Sequence, residues 1–385
     1  MDTKGDGAGG AAGPAVPGGS DAMHGRWTNG AGGQGHAGGG RSGPGRGGSG
    51  RRGTYAALDL GTNNCRLLIA RPNREGFRIV DAFSRIVRLG EGLTRTGALS
   101  ENAIVRTLGA LAICRDKMEA RGVNRARLIA TEACRAASNG AEFLARVSES
   151  VGLDLEIVDR ETEAHLATAG CSVLADRDAE AIVLFDIGGG STEVVWLNRA
   201  GSDGDPHPGG DSRIRKWTSL PLGVVTLAEK FGGHEVDAET FEAMVDHVAD
   251  TLASFVEQVA DETRCGRFHL LGTSGTVTTV AGVHLNLERY DRRRVDGLWM
   301  TSGEIDTAIA ALRSMSYAQR AANGCIGHER ADLVLAGCAI LEAIRQAFPS
   351  ERVRIADRGL REGILMQLMD ADRVWDSPQG RDGWR

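Results

Sequence analysis

A chain of 385 residues, 41% hydrophobic and 25% charged, is long enough for two globular domains. Its net charge of −6 repels polyanions on average, so an anionic substrate needs a local cationic site or a metal. No apolar run is long enough for a membrane span and no signal-peptide core is present; seven cysteines without a C-x-x-C pair argue for reduced thiols and a cytoplasmic location, against a zinc site.

Residues 1–53 are about two fifths glycine, with Pro, Ser and Ala, and cannot bury enough apolar surface to offset chain entropy. A disordered tail is expected there. Its "GPGRGG" from Gly43 matches G-x-G-x-x-G formally, but lacks the flanking strand and helix that give the motif meaning. The folded part is expected from Thr54. Strands are predicted over 55–61 and 65–70 around a tight turn, and again over 77–89. Ser100 is placed to cap a helix over 101–120, where Ile104, Val105, Leu108, Leu111 and Ile113 keep mostly helical spacing. "RLIATEACR" at 127–135 predicts a strand leading into a loop and a helix, and "LEIVDRETEAHLATAGCSVL" another strand, loop and helix. From 181 the pattern restarts as strand, glycine turn, strand. A surface loop is expected at 199–213, helices at about 239–260 and 331–347, and strand, glycine turn and helix over 268–283. "GLREGILMQLM" predicts a last helix, followed by a frayed end.

One internal repeat organises this α/β pattern. "LDLGTNNCRLLIA" at 58–70 and "FDIGGGSTEVVWL" at 185–197 superpose as D-[LI]-G-x-x-x, with aspartates 127 residues apart, about one domain length. Two facing lobes with a cleft between them follow: 54–166 with the first turn, 167–371 with the second, and 372–385 as a frayed C-terminus. A glycine turn between strands offers a nest of backbone N–H groups that binds oxyanions, phosphate above all. Gly61, Thr62, Asn63 and Asn64 form the first nest, and Gly188, Gly189, Gly190, Ser191 and Thr192 the second. "LLGTSGT" adds a third at Gly272, Ser274, Gly275 and Thr276. An aspartate beside a phosphate repels it unless a cation intervenes, so Asp59 and Asp186, each just ahead of its nest, suggest Mg²⁺ held partly through water. A single such turn is equally well an ordinary hairpin; the duplication with aspartate at the same place is what favours a site.

These segments, together with "VRLGEGL" at 87–93, "ATEACRAASN" at 130–139, "LEIVDRETEAHL" at 155–166, "LPLGVVTLAEKF" at 220–231, "YDRRRVDG" at 290–297, "RADLVLAG" and "ADRGLREGIL", resemble the exopolyphosphatase / guanosine pentaphosphatase (Ppx/GppA) family of the acetate/sugar kinase, heat-shock chaperone and actin superfamily. The resemblance runs from about 54 to 371. It implies two ribonuclease-H-like (actin-like ATPase) lobes and hydrolysis of terminal phosphoanhydride bonds, of inorganic polyphosphate or of the 5′ end of guanosine pentaphosphate (pppGpp). The catalytic glutamate of the family matches Glu163 in "ETEAHL", the glutamate of "GGGSTE" matches Glu193, and the phosphate-binding arginine matches Arg135. His165 stands where an arginine is more usual, and Asp296 where histidine is common. Such a site needs a positioned water, charge neutralisation and in-line geometry: Glu163 to orient or deprotonate the water, Glu193, Asp186 and Asp59 to hold Mg²⁺, and Arg135 with Arg88 to neutralise equatorial oxygens. Without the family, Glu163 is a helix-start acid favoured by the dipole and Arg135 a surface ion pair. An ATP-dependent phosphotransferase and a non-catalytic polyphosphate or pppGpp sensor are the competing functions. "GGGSTE" argues against the first; the presence of Glu163 and Glu193 argues against the second. The expected partners are substrate alone, with no membrane or specific nucleic acid, and the resemblance leaves room for a homodimer.

Overall fold

The computed structural model describes residues 53–176, 178–198, 214–265 and 267–375. The glycine-rich tail up to residue 52, the loop expected at 199–213 and the stretch 376–385 lie outside the described residues.

Two mixed sheets carry the fold. The first contains β1 (Tyr55–Leu60), β2 (Asn64–Asn73), β3 (Gly76–Ile86), β4 (Arg125–Ala130) and β5 (Glu156–Ile157), in the order β3-β2-β1-β4-β5. The second contains β6 (Ala181–Ile187), β7 (Thr192–Asn198), β8 (Ile214–Leu220), β9 (Phe268–Thr273), β10 (Trp299–Thr301) and β11 (Arg352–Ala356), in the order β10-β11-β9-β6-β7-β8. In both, three antiparallel strands in sequence are followed by strands added in parallel on the other side of the first: β4 beside β1, β9 beside β6. The repeat seen in the sequence is therefore a repeat of whole sheets.

Each first strand is buried on both faces because the side chains alternate. On β1, Ala56, Leu58 and Leu60 join a core with Leu111, Cys114 and Met118 of the helix Glu101–Ala120. Tyr55 and Ala57 face the opposite way, onto Ile364, Leu365 and Met369 of the helix Leu360–Ala371. The helix Glu101–Ala120 begins where its cap was expected, with Ser100 Oγ accepting a hydrogen bond from the Ala103 N–H. On β6, Val183, Phe185 and Ile187 pack with Phe241, Val248 and Phe255 of the helix Ala238–Gln258. Leu184 faces Ala164, Ala167 and Cys171 of the helix Arg160–Cys171. Asp59 shares the Tyr55/Ala57 face and Asp186 the Leu184 face, so both aspartates point to the side where the two central helices lie.

Those helices, Arg160–Cys171 and Leu360–Ala371, form the wall between the sheets. They cross at glycine: a Cβ on Gly170 would lie 2.0 Å from the Gly359 carbonyl oxygen, and one on Gly363 would lie 2.1 Å from that of Leu166. This wall explains two departures from the linear reading. A division at 166/167 falls inside the first of these helices, whose Leu166 packs on the first sheet while Ala164 and Ala167 pack on the second. The last helix, grouped with the second lobe by its position in the chain, returns to cover the first sheet. All six cysteines whose side chains are described are free and buried.

Candidate functional site

The two glycine turns meet face to face. Gly61 N–H closes the first turn on the Asn64 carbonyl at 2.9 Å, and Gly188 N–H closes the second on that of Ser191 at 3.0 Å. These two glycines shape the turns rather than offering donors. Among the described residues of the two turns, the N–H groups of Thr62, Asn63, Gly189 and Gly190 have no acceptor. Close approach explains the second and third glycines of "GGG": a Cβ on Gly189 would come within 3.0 Å of Thr62 Cβ, and one on Gly190 within 2.6 Å of Thr62 Oγ1. Between the turns lies a cavity of about 120 Å³ that also takes in Thr131, Glu132, Ser274, Gly275 and Thr276.

The third expected nest is only partly one. Gly272 sits inside β9, where a Cβ would strike the Phe185 ring at 2.5 Å, so it is a packing glycine and not a phosphate contact. Ser274 opens the helix Ser274–His284 at φ 76°, a left-handed conformation that costs a non-glycine residue of order 1–3 kcal/mol. In that position its hydroxyl donates to Asp186 Oδ1, while Gly275 and Thr276 bring the helix N-terminus to the cavity. Thr192 also drops out: fully buried, it donates to the Leu222 carbonyl at 2.9 Å and lines no part of the cavity.

Five carboxylates line the cavity, Asp59, Glu132, Glu163, Asp186 and Glu193. Glu163 lies in the first turn of the helix Arg160–Cys171, whose start is fixed by Asp159 accepting the Thr162 N–H at 2.7 Å. Glu163 is 4% exposed. Burial first, then the charge of Glu193, pushes its pKa up to about 8, while Arg135 opposes the rise. Glu193 is pushed up to about 7 by burial and by Asp186, against hydrogen bonds from Ser191 and Ser219, whose Oγ donates at 2.9 Å. Asp59 and Asp186 are both raised by burial; Arg66 and Arg361 oppose this at Asp59, the Ser274 hydroxyl and Arg66 at Asp186.

Both arginines expected to neutralise phosphate are committed elsewhere. Arg135 donates to Glu163 Oε1 at 2.6 Å, to the Val158 carbonyl at 2.5 Å and to Glu132, which Arg160 also grips at 2.9 Å. It sits behind the catalytic candidate and outside the cavity lining, held by two carboxylates. Arg88 pairs bidentately with Asp332 at 2.9 Å and donates to the Glu329 carbonyl, tying the first lobe to the second. The cations that do line the cavity are Arg66 and Arg330. Among the described residues Arg330 donates only to the carbonyls of Ile326 and Cys325, and burial and the nearby Arg66 lower its pKa. No carboxylate among the described residues accepts a hydrogen bond from Arg66. Neither was expected from the sequence, yet Arg66 had a signal: superposing the repeat on Asp59 and Asp186 puts Arg66 where Glu193 stands, and the strand register confirms it, Asp59 opposite Arg66 and Asp186 opposite Glu193.

The donor chemistry bears on a metal. Asp59, Asp186 and the side-chain oxygen of Asn63, buried without a donor, offer hard oxygen ligands. Among the described residues no three His, Cys, Asp or Glu side chains gather into a preformed cage. Such a set suits a hard divalent ion that binds through one or two carboxylates and keeps its own waters. The arginines clustered in the "RRR" run are structural where they are engaged: Arg292 pairs with Glu362 at 2.8 Å, and Asp296 pairs with Arg358.

Comparison with known proteins bears on the family and the fold. A family model described as the Ppx/GppA phosphatase family matches residues 68–372. The chain is 27% identical over 326 residues to a putative exopolyphosphatase of Haemophilus influenzae, covering 83% of this chain and 93% of that one. It is 28% identical over 331 residues to a guanosine-5′-triphosphate,3′-diphosphate pyrophosphatase of Photobacterium profundum, covering 84% of this chain and 60% of that one. The crystal structure of the Aquifex aeolicus Ppx/GppA family member matches at TM-score 0.66 and 27% identity, over 83% of this chain and 98% of that one. The chain spans about half the length of some curated relatives it matches, 46% in one case.

Proposed function

The chain belongs to the Ppx/GppA phosphatase family, and on that premise we propose that it hydrolyses the terminal phosphoanhydride bond of inorganic polyphosphate, releasing orthophosphate. One observation carries the reading: a buried glutamate, Glu163, is fixed by Arg135 at the edge of a cavity ringed by free backbone donors and two arginines, Arg66 and Arg330. The free N–H groups of Thr62, Asn63, Gly189 and Gly190 and the two guanidinium groups bind the terminal phosphate oxygens. Glu163 accepts the proton of a water as its oxygen bonds to phosphorus; the bridging P–O bond breaks and the shortened chain leaves with the electron pair. Its raised pKa makes it a stronger base than an ordinary carboxylate. Arg135 acts through Glu163, holding its position. Asp59 and Asp186, with Glu193 beside them, would hold a Mg²⁺ ion, which would supply charge neutralisation for the phosphate.

The Photobacterium relative's name supports a second substrate, the 5′-phosphoanhydride of pppGpp, for the same machinery. The test is orthophosphate release from long-chain polyphosphate without ATP, run beside pppGpp. Release that Glu163→Gln abolishes while polyphosphate still binds is the expected result. Turnover retained in that variant removes Glu163 as the base, and release that requires a nucleoside acceptor turns the assignment toward a phosphotransferase.

A further inference from the structure

Ser274 stands at φ 76°, a left-handed conformation that a non-glycine residue keeps only where its surroundings over-determine it. Its hydroxyl holds Asp186 Oδ1, so whatever fixes Ser274 also fixes an acid of the site. The residue before it is tied down from outside the cavity: Thr273 Oγ1 donates to the Arg358 carbonyl at 2.5 Å. The same carbonyl accepts the Cys171 thiol at 3.1 Å, from the last residue of the helix that carries Glu163. Arg358 lies in the short loop 357–359 between β11 and the helix Leu360–Ala371. A carbonyl that braces a strained residue is useful only if its own loop cannot move.

That loop is held at each of its residues. Asp357 donates its N–H to Asp296 Oδ1 at 3.0 Å and accepts the Tyr290 hydroxyl on Oδ2 at 2.7 Å. Arg358 pairs with Asp296, and the Gly359 N–H donates to Glu362 Oε2 at 3.0 Å. Arg292 spans the loop from end to end: it donates to the Asp357 carbonyl at 2.5 Å and to Glu362 Oε1 at 2.8 Å. Arg292 does not line the cavity, so it cannot touch the reacting phosphate directly. We propose that Arg292 is a positioning residue for the reaction: by clamping loop 357–359 it seats Thr273 and thereby keeps the Ser274 hydroxyl on Asp186. The inference rests on the phosphohydrolase reading above and deepens it by naming a residue that shapes the site from behind. It also divides the arginine run 292–294, whose other two members are exposed on the same short helix and have no part in the clamp.

The experiment is a double-mutant cycle on orthophosphate release from polyphosphate by the full-length protein: Arg292→Gln, Ser274→Gly and the two combined. Ser274→Gly removes the hydroxyl and lets position 274 keep its φ without strain, so it cuts the line of contacts at its far end. Arg292→Gln is expected to lower kcat/KM about ten-fold in the native chain, the equivalent of ~1.4 kcal/mol, and by less than about two-fold in the Ser274→Gly chain. Arg292→Lys, which keeps a charge beside Glu362, recovers part of the loss, and Arg294→Gln, the charge control, causes none. An equal loss from Arg292→Gln in both backgrounds, as a general effect on folding would give, or no loss at all, overturns the proposal. Should Arg292→Gln fail to fold, Tyr290→Phe loosens the same loop by one hydrogen bond; its smaller loss must likewise vanish in the Ser274→Gly chain, and a loss equal in both backgrounds, or absent, overturns the proposal there too. A crystal structure of Arg292→Gln, or of Tyr290→Phe in its place, decides the matter without turnover. If the native protein releases no orthophosphate, the hydrolase reading fails; a Ser274 that has left both its left-handed conformation and Asp186 in that crystal still confirms the clamp, and one that keeps both refutes it.

Discussion

The two glycine hairpins are the same structure with opposite charge. In each, an aspartate stands one residue before the end of the first strand, a glycine turn follows, and the residue seven positions on pairs back across the strands. In the first hairpin that partner is Arg66; in the second it is Glu193. The first is charge-balanced: Arg66 offsets the rise that burial imposes on Asp59. The second stacks like charges, and Asp186 pushes the Glu193 pKa further up. One copy of a duplicated unit thus places a cation in the cavity, and the other places acid groups held away from their ordinary ionisation. Duplication provided the frame, and one side chain per copy divided the chemistry.

The largest expected effect lies outside both hairpins, on the helix between them. Glu163→Gln is predicted to cut kcat by ~10²–10⁴-fold, the range for loss of a general base, with polyphosphate affinity kept. Next comes the cation. Arg66→Gln removes charged hydrogen bonds worth ~1.5–3 kcal/mol, so kcat/KM should fall by roughly ten- to a hundred-fold. Arg66→Glu, which makes the first hairpin a copy of the second, should lose more than Arg66→Gln; equal losses in the two variants break the idea that the hairpins differ by charge. The pH profile is a finer test. Glu163 must be ionised to act, and its pKa is pushed up to about 8, so kcat/KM should fall as pH drops through about 8 rather than near 4. Because Glu193 raises Glu163, Glu193→Gln should move that limb to lower pH in whatever activity remains, while Arg135→Gln should move it higher.

Much of this was legible in the chain. Strand alternation, the Ser100 cap and the repeat gave both sheets and the pair of aspartates, and the family motif gave Glu163 and Glu193. What escaped depended on partners distant in sequence. Arg135 is taken by Glu132 and Glu163, and Arg88 by Asp332, 244 residues away, so neither reaches the cavity. Arg330 enters it only because the second lobe folds back over the first. Gly272 looked like one more turn glycine because nothing local shows the Phe185 ring above it. A linear division into lobes also misses a helix that returns to the far sheet.

The turns themselves differ in how much space they leave, which is open to a smaller test. A Cβ on Gly61 meets nothing closer than 3.6 Å, whereas one on Gly190 lies 2.6 Å from Thr62 Oγ1. Gly61→Ala should therefore leave orthophosphate release within about two-fold, an ordinary surface-scale effect. Gly190→Ala should push the turns apart and lower the rate more, and Thr62→Ala in the same chain should recover part of the loss. Equal effects at the two glycines show that the turns do not meet as described.

The smallest effect separates the hairpins by stability alone. Glu193 has an ordinary pKa of about 4.3 when unfolded and one of about 7 when folded. Between those values the folded state holds more protons than the unfolded one, so stability falls as pH rises through that window and stays reduced above it. Gln keeps the acceptor that Ser219 uses at 2.9 Å and does not titrate. Glu193→Gln should therefore raise Tm relative to the native chain, by an amount that grows from pH 5 to pH 8, measured without substrate or divalent ions. Arg66→Gln should do the reverse. Asp59 then loses the charge that offsets its burial, and the unfolded state releases its proton more readily than the folded one. Its Tm should drop further below that of the native chain as pH rises past the ordinary aspartate range. Opposite slopes for two substitutions at matching positions of the repeat would tie the division of charge to the fold itself; parallel slopes would leave it a property of catalysis alone.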